Sequence, residues 1–150
     1  GRFLLIDDKI YWTRVKTLLV KEGIGRKEVV IYNAKDCFEY AKKDFEGRDR
    51  ECFIRYDLNA GNRLIGKEIV SIGTANSSMV HPREVFKGAI LNTAIGIIIC
   101  HNHLSGDTTP SPEDHRVTDV IKAAGKMIGI DVLDHIIIGN ENYYSFTEES

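Results

Sequence analysis

A chain of 150 residues with 43 % hydrophobic side chains is long enough to enclose one core, so a single domain with an extension is expected. The formal charge of −2 is unevenly spread: residues 1–50 carry 12 Lys/Arg against 9 Asp/Glu, and residues 51–150 carry 8 against 13. The larger, acidic part lacks the basic stripe that tight nonspecific nucleic-acid binding needs. No apolar run approaches the roughly 18 residues of a membrane span. The N-terminus has no signal-like pattern, so neither membrane nor export is expected, and the chain opens on Gly1, as a fragment or a tag-processed product does. Cys37, Cys52 and Cys100 are odd in number and widely spaced, which points to a reducing, cytoplasmic compartment rather than a disulfide framework.

Residues 1–45 read as a mostly helical N-terminal extension. Residues 11–21 place Trp12, Val15, Leu18 and Leu19 on one helical face, and residues 35–45 turn Cys37, Phe38 and Ala41 inward. The segment Gly23-Ile24-Gly25-Arg26-Lys27 between them reads as a glycine loop. A second region spans residues 46–150. It starts with alternation from Glu51 to Leu58: Cys52, Ile54, Tyr56 and Leu58 on one mostly apolar face, Glu51, Phe53, Arg55 and Asp57 on the other. Asn59-Ala60-Gly61-Asn62 is a turn, and residues 64–73 form a second strand, so 51–73 is a hairpin. Residues 82–92 are a helix with Pro82 in its first turn and Val85, Phe86, Ala89 and Ile90 inward.

Residues 95–100, Ile-Gly-Ile-Ile-Ile-Cys, are an unbroken apolar run, the mark of a strand buried on both faces. Extended backbone beyond it sets His101 and His103 on one side, their Cα atoms roughly 6.5 Å apart, and turns Asn102 away. Gly106, Asp107 and Pro110 make the next segment a loop. Ser111-Pro112-Glu113-Asp114 then starts a helix to about residue 127, with Val117, Val120, Ile121, Ala124 and Ile128 as its stripe and Gly129 past its end. Strands at 130–139 and 143–146 complete an α/β or α+β sandwich.

Ser-Pro-Glu-Asp is by itself a variant capping box that requires no metal. Together with His101 and His103 at a strand end, however, Asp114 completes three ligands of a zinc site that leaves one coordination position open. Other His-x-His chemistries fit less well. A metallo-β-lactamase-like site needs Asp and His where Ser105 and Gly106 stand, an amidohydrolase barrel needs more chain, and a zinc deaminase needs a Cys-x-x-Cys pair. The dispersed ββα unit of the HNH nucleases has no counterpart either.

His101-x-His103, seven residues, then Ser111-x-x-Asp114 resembles the JAMM motif of the MPN/JAB metalloproteases. The fuller run His-Asn-His-x-Ser-Gly-Asp-x-x-Pro-Ser-x-x-Asp is similar to that of the RadC family, traditionally called DNA repair proteins. Arg50-Glu51-Cys52-Phe53, Leu58-Asn59, Ile72-Gly73-Thr74, His81-Pro82-Arg83-Glu84-Val85 and Leu133-Asp134-His135-Ile136-Ile137-Ile138-Gly139 extend the likeness over about residues 30–147. Leu104 stands where the family usually has proline, which loosens the loop and removes no ligand. The resemblance implies a cytidine-deaminase-like MPN/JAB sandwich, a mixed β-sheet flanked by helices. It also implies Zn²⁺ held by His101, His103 and Asp114, and Glu51 as the base that takes a proton from water. Glu68 is the other candidate base, because a carboxylate sharing a face with Leu64, Val70 and Ile72 needs a task or a partner. Ser111 would donate to a developing oxyanion, in competition with its capping role.

The other histidines read as structural: His135 as a satisfied core residue, His81 as a helix-start residue, His115 as pointing elsewhere. Asp107 is either a turn former or an orienting partner for an imidazole, and alternation sets Cys100 opposite the histidines. Three functions follow: a zinc hydrolase cleaving an amide or isopeptide bond in an unknown protein or peptide; a DNA-associated repair or mobile-element factor, weakly supported by charge; and a non-catalytic interaction module. No oligomeric state is implied.

Overall fold

The computed structural model describes residues 28–73 and 80–149. The helix expected at residues 11–21 and the Gly23–Lys27 loop lie outside the described residues.

Eight elements follow in chain order: α1 (Ala34–Phe45), β1 (Cys52–Leu58), β2 (Leu64–Ile72), α2 (Pro82–Leu91), β3 (Gly96–Asn102), α3 (Pro112–Ile128), β4 (Asp131–Ile138) and β5 (Tyr143–Ser145). The sheet runs β2-β1-β3-β4-β5. β1 pairs antiparallel with β2 and with β3, and β4 pairs antiparallel with β5. β3 and β4 are parallel, because α3 carries the chain back across the sheet between them. This is the mixed sheet flanked by helices that the resemblance implies, and it agrees with the α/β or α+β sandwich expected from the residue pattern.

Period-two alternation gives the sheet two buried faces. Cys52, Ile54, Tyr56, Leu58, Ile98, Cys100, Ile136 and Ile138 pack with Cys37, Phe38 and Ala41 of α1. Phe53, Ile97 and Ile99 pack on the other face with Val85, Phe86 and Ala89 of α2 and Val117 and Ile121 of α3. β1 is therefore buried along its whole length, more than one apolar face foretells. Its second face tolerates Arg55 and Asp57 because they pair: Nε and Nη2 of Arg55 lie 2.6 and 3.0 Å from the Asp57 carboxylate. Arg55 Nη1 reaches Glu68 at 2.6 Å and the Val85 carbonyl at 2.9 Å.

α3 also differs in detail. Its buried residues are Asp114, Val117, Thr118, Ile121 and Gly125, while Val120 and Ile128 are largely exposed. Val117 and Ile121 are buried as expected, and Gly125 lets the end of the helix approach closely: a Cβ there would stand 2.5 Å from the Ile130 carbonyl oxygen. Ile90 of α2 is likewise exposed. Among the described residues no helix is long and apolar enough to cross a membrane.

Candidate metal centre

β3 ends at Asn102, and its last inward residue on the α2/α3 face is His101, which is 1 % exposed. Asn102 turns the other way and closes the strand end: its Oδ1 accepts from Cys52 N at 2.8 Å, and its Nδ2 donates to the Arg50 carbonyl at 3.3 Å. One residue further, the chain leaves the sheet and His103 falls on the side of His101. Gly106, at φ 77°, supplies the left-handed conformation of the turn. The Asp107 carboxylate then accepts from Thr109 N and Oγ1 at 2.9 and 2.7 Å, which folds the loop back to the sheet.

Ser111 caps α3 in a full capping box. Its Oγ accepts from Asp114 N at 3.1 Å, and Asp114 Oδ2 accepts from Ser111 N at 2.8 Å. The box fixes the Asp114 carboxylate at the first turn and aims it at the histidines. Asp114 Oδ1 lies 3.1 Å from His101 Nε2, and Oδ2 lies 3.0 Å from His103 Nε2. The two Nε2 atoms are 3.1 Å apart. Capping thus does not compete with a ligand role for Asp114: the carboxylate that closes the box also faces both imidazoles.

His101, His103 and Asp114 form the one His/Cys/Asp/Glu cluster among the described residues whose donor atoms converge within 4.8 Å. The donor chemistry fits a cation. His103 Nδ1 lies 2.8 Å from the Asp107 carbonyl, which only accepts, so Nδ1 carries a proton and Nε2 presents a lone pair. Two nitrogen ligands of a tetrahedral zinc stand about 3.3 Å apart, close to the separation of the two Nε2 atoms. Burial alone would raise the Asp114 carboxyl; His101 and Ser111 beside it outweigh this and hold it well below the usual carboxylate range. Asp114 is ionised at neutral pH, as a ligand must be.

Behind His101 lies a second buried histidine. His135 Nε2 is 2.7 Å from His101 Nδ1, and His135 Nδ1 is 2.5 Å from Thr118 Oγ1. Burial, aided by the neighbouring His101, lowers the basicity of His135 well below that of a free imidazole. Phe53 stacks on His101 with centroids 5.7 Å apart, and Phe146 stacks on His135 at 4.7 Å.

The remaining candidates are placed as follows. Glu51 is half-buried and immediately precedes β1, where its carbonyl accepts from Gly73 N at 2.7 Å. The β1–β3 pairing ends at Phe53 and His101, two residues short of both Glu51 and His103. Glu68 has the partner its position demands, the buried guanidinium of Arg55. His135 is a satisfied core residue. His81 is the N-cap residue of α2 without a side-chain cap bond, and His115 is exposed with its ring edge on Phe146. Asp107 orients an imidazole with its main-chain carbonyl while its carboxylate makes the turn. Cys100 lies on the α1 face, its Sγ 3.7 Å from that of Cys37. Thr118 was not foreseen: its partners His135 and Asp114 are 17 and 4 residues away, and only the fold brings the two together on one hydroxyl.

The model of the RadC-like JAB domain matches residues 31–150. The chain belongs to this family. Its relatives in the RadC-like JAB family include UPF0758 proteins of Desulforamulus reducens, 49 % identical over 141 residues, and of Pelodictyon phaeoclathratiforme, 47 % identical over 133 residues. These alignments cover 87 % and 89 % of the chain but 62 % and 59 % of the relatives. A UPF0758 protein of Chlorobaculum parvum is 42 % identical over 129 residues, 86 % of the chain and 57 % of the relative. The chain therefore spans about three fifths of the length of these family members. The family match begins at residue 31 and so includes α1, which packs on the sheet.

Proposed function

We propose that the chain is a zinc-dependent hydrolase of the metallopeptidase or isopeptidase kind, acting on an amide bond in a protein or peptide. The observation that carries this reading is the convergence of two imidazole nitrogens and an ionised carboxylate at 3.0–3.1 Å in a buried strand-end site. A His₂Asp set of hard and borderline donors suits zinc. When bound, zinc supplies Lewis acidity towards a carbonyl and makes water a stronger acid.

The protein supplies the rest. His101 and Asp114 are closed to solvent, with side chains 1 % and 3 % exposed, whereas His103 is 17 % exposed. The open side of the site is thus the His103 side. There a cleft of about 300 Å³ begins, bounded by Phe45, Arg48, His103, Leu104, Gly106 and Asn140, and it is the natural seat for the substrate chain. Glu51, immediately before the strand that pairs with β3, takes the proton from the attacking water and returns it to the leaving amine. Ser111 stabilises the developing oxyanion: its capping bond uses a lone pair of Oγ, which leaves the hydroxyl proton for the substrate oxygen.

The test is hydrolysis of a panel of peptide and isopeptide substrates by zinc-loaded protein, with Glu51→Gln alongside. Wild type is expected to cleave at least one amide. Glu51→Gln is expected to hold zinc equally and lose turnover by about 10²–10⁴-fold. An equally active Glu51→Gln removes Glu51 from the mechanism, and a zinc-loaded wild type inert across the panel removes the hydrolase.

A further inference from the structure

We infer that Thr118 and His135 are positioning residues: they fix His101 in the tautomer that turns its Nε2 lone pair towards Asp114 and His103. This rests on the metal-centre reading above and adds to it the means by which one ligand is prepared.

A chain of contacts leaves each proton one place to go. A carbonyl only accepts, and Thr118 Oγ1 lies 2.7 Å from the Asp114 carbonyl, so the single hydroxyl proton is spent there. Oγ1 can then only accept from His135 Nδ1, 2.5 Å away, which places a proton on that nitrogen. With Nδ1 protonated, His135 offers a lone pair at Nε2. His101 Nδ1, 2.7 Å from it, must donate, because so short a nitrogen–nitrogen contact holds one proton. In the neutral ring His101 Nε2, 3.1 Å from Asp114 Oδ1, is then the nitrogen whose lone pair is free for a cation, which takes the place of any proton shared with Asp114. The relay ends where it began, on Asp114: its carboxylate faces the ligand nitrogen, and its carbonyl anchors the tautomer.

An ordinary role for Thr118 accounts for only part of this. Hydroxyls in helices often bond back to the carbonyl four residues earlier, which explains the contact with Asp114 but not the shared contact with a buried histidine. The two ligand histidines are also prepared differently. A main-chain carbonyl orients His103, as is common for metal-binding imidazoles. Two uncharged side chains orient His101, so no further carboxylate adds negative charge and Asp114 alone supplies it. Phe53 and Phe146, stacked on the two rings at interplanar angles of 19° and 11°, hold the planes in which the relay works.

The experiment compares wild type, Thr118→Val and Thr118→Ser. Imidazole ¹⁵N NMR of the metal-free proteins at mildly alkaline pH reads the tautomers, circular dichroism checks folding, and titration against a chromophoric chelator reads zinc affinity. Wild type and Thr118→Ser should carry the His101 proton on Nδ1. Thr118→Val, which keeps the shape and removes the hydroxyl, should shift His101 towards the Nε2-protonated form and leave His103 unchanged. Its zinc affinity should fall about ten- to hundredfold, and Thr118→Ser should restore it. A wild-type His101 protonated on Nε2 overturns the relay whether or not Thr118→Val folds. So does a folded Thr118→Val with unaltered tautomers and affinity. If the tautomers behave as described but wild type takes up no zinc, the relay is supported and the zinc reading fails separately.

Discussion

At the scale of single residues, two short-range rules made the centre legible. Strand alternation sets His101 and His103 on one side, and the helix-start pattern of Ser111-Pro112-Glu113-Asp114 sets the carboxylate in the first turn of α3. Both depend on neighbours a few positions apart, which spacing exposes. The relay through His135 and Thr118 depends on contacts 34 and 17 residues apart, and no local pattern announces it. Its energetic signature is a pH dependence. An unfolded histidine has a pKa of about 6.5, and burial lowers that of His135 in the fold. Between the two values the unfolded chain binds a proton that the folded chain excludes. The contribution to stability is therefore complete above about pH 6.5 and is lost as pH falls below it, at up to about 1.4 kcal/mol per pH unit. Urea unfolding of the metal-free protein between pH 7 and 5 should show this slope, and His135→Gln should flatten it. Parallel slopes for the two proteins would mean that His135 is not held neutral.

At the scale of elements, hairpin β1–β2, helix α2, strand β3 and the crossover helix α3 all lie where periodicity sets them. What periodicity cannot show is which second face is covered. β1 looks half-polar in sequence because Arg55 and Asp57 alternate with Cys52, Ile54 and Tyr56, yet α2 and α3 cover that face and the two charges satisfy one another. Similarly, apolarity finds Val117 and Ile121 of the α3 stripe but adds Val120 and Ile128, which are exposed, and misses Thr118 and Gly125, which are buried. Gly125→Ala tests the close approach at the end of α3. Alanine is the better helix former by about 1 kcal/mol. Its Cβ, however, would meet the rigid Ile130 carbonyl at 2.5 Å, and such overpacking costs roughly 1–3 kcal/mol. Thermal unfolding should show a net loss of stability, with zinc affinity lowered as α3 shifts Asp114. A stabilised Gly125→Ala would show that α3 is free to move away from β4.

At the scale of the whole molecule, the fold joins a buried, preformed ligand set to a cleft that opens beside His103. Membership of the RadC-like JAB family fits that architecture, and the family match takes in His101, His103 and Asp114. The charge of residues 51–150, 8 basic against 13 acidic side chains, argues against tight nonspecific DNA binding by this part of the chain, so any affinity measured should be weak and lost with added salt. A ligand that binds only the folded state also stabilises it, by about 2.7 kcal/mol at a hundredfold excess over its Kd. Zinc should therefore raise the melting temperature of wild type and leave those of His101→Ala and Asp114→Ala unmoved. The most direct measurement is zinc content after exhaustive dialysis, by elemental analysis of these three proteins. Near one zinc per wild-type chain, with little in either variant, is the expected result. A folded wild type that retains no zinc, or variants that retain as much as wild type, would contradict the metal centre.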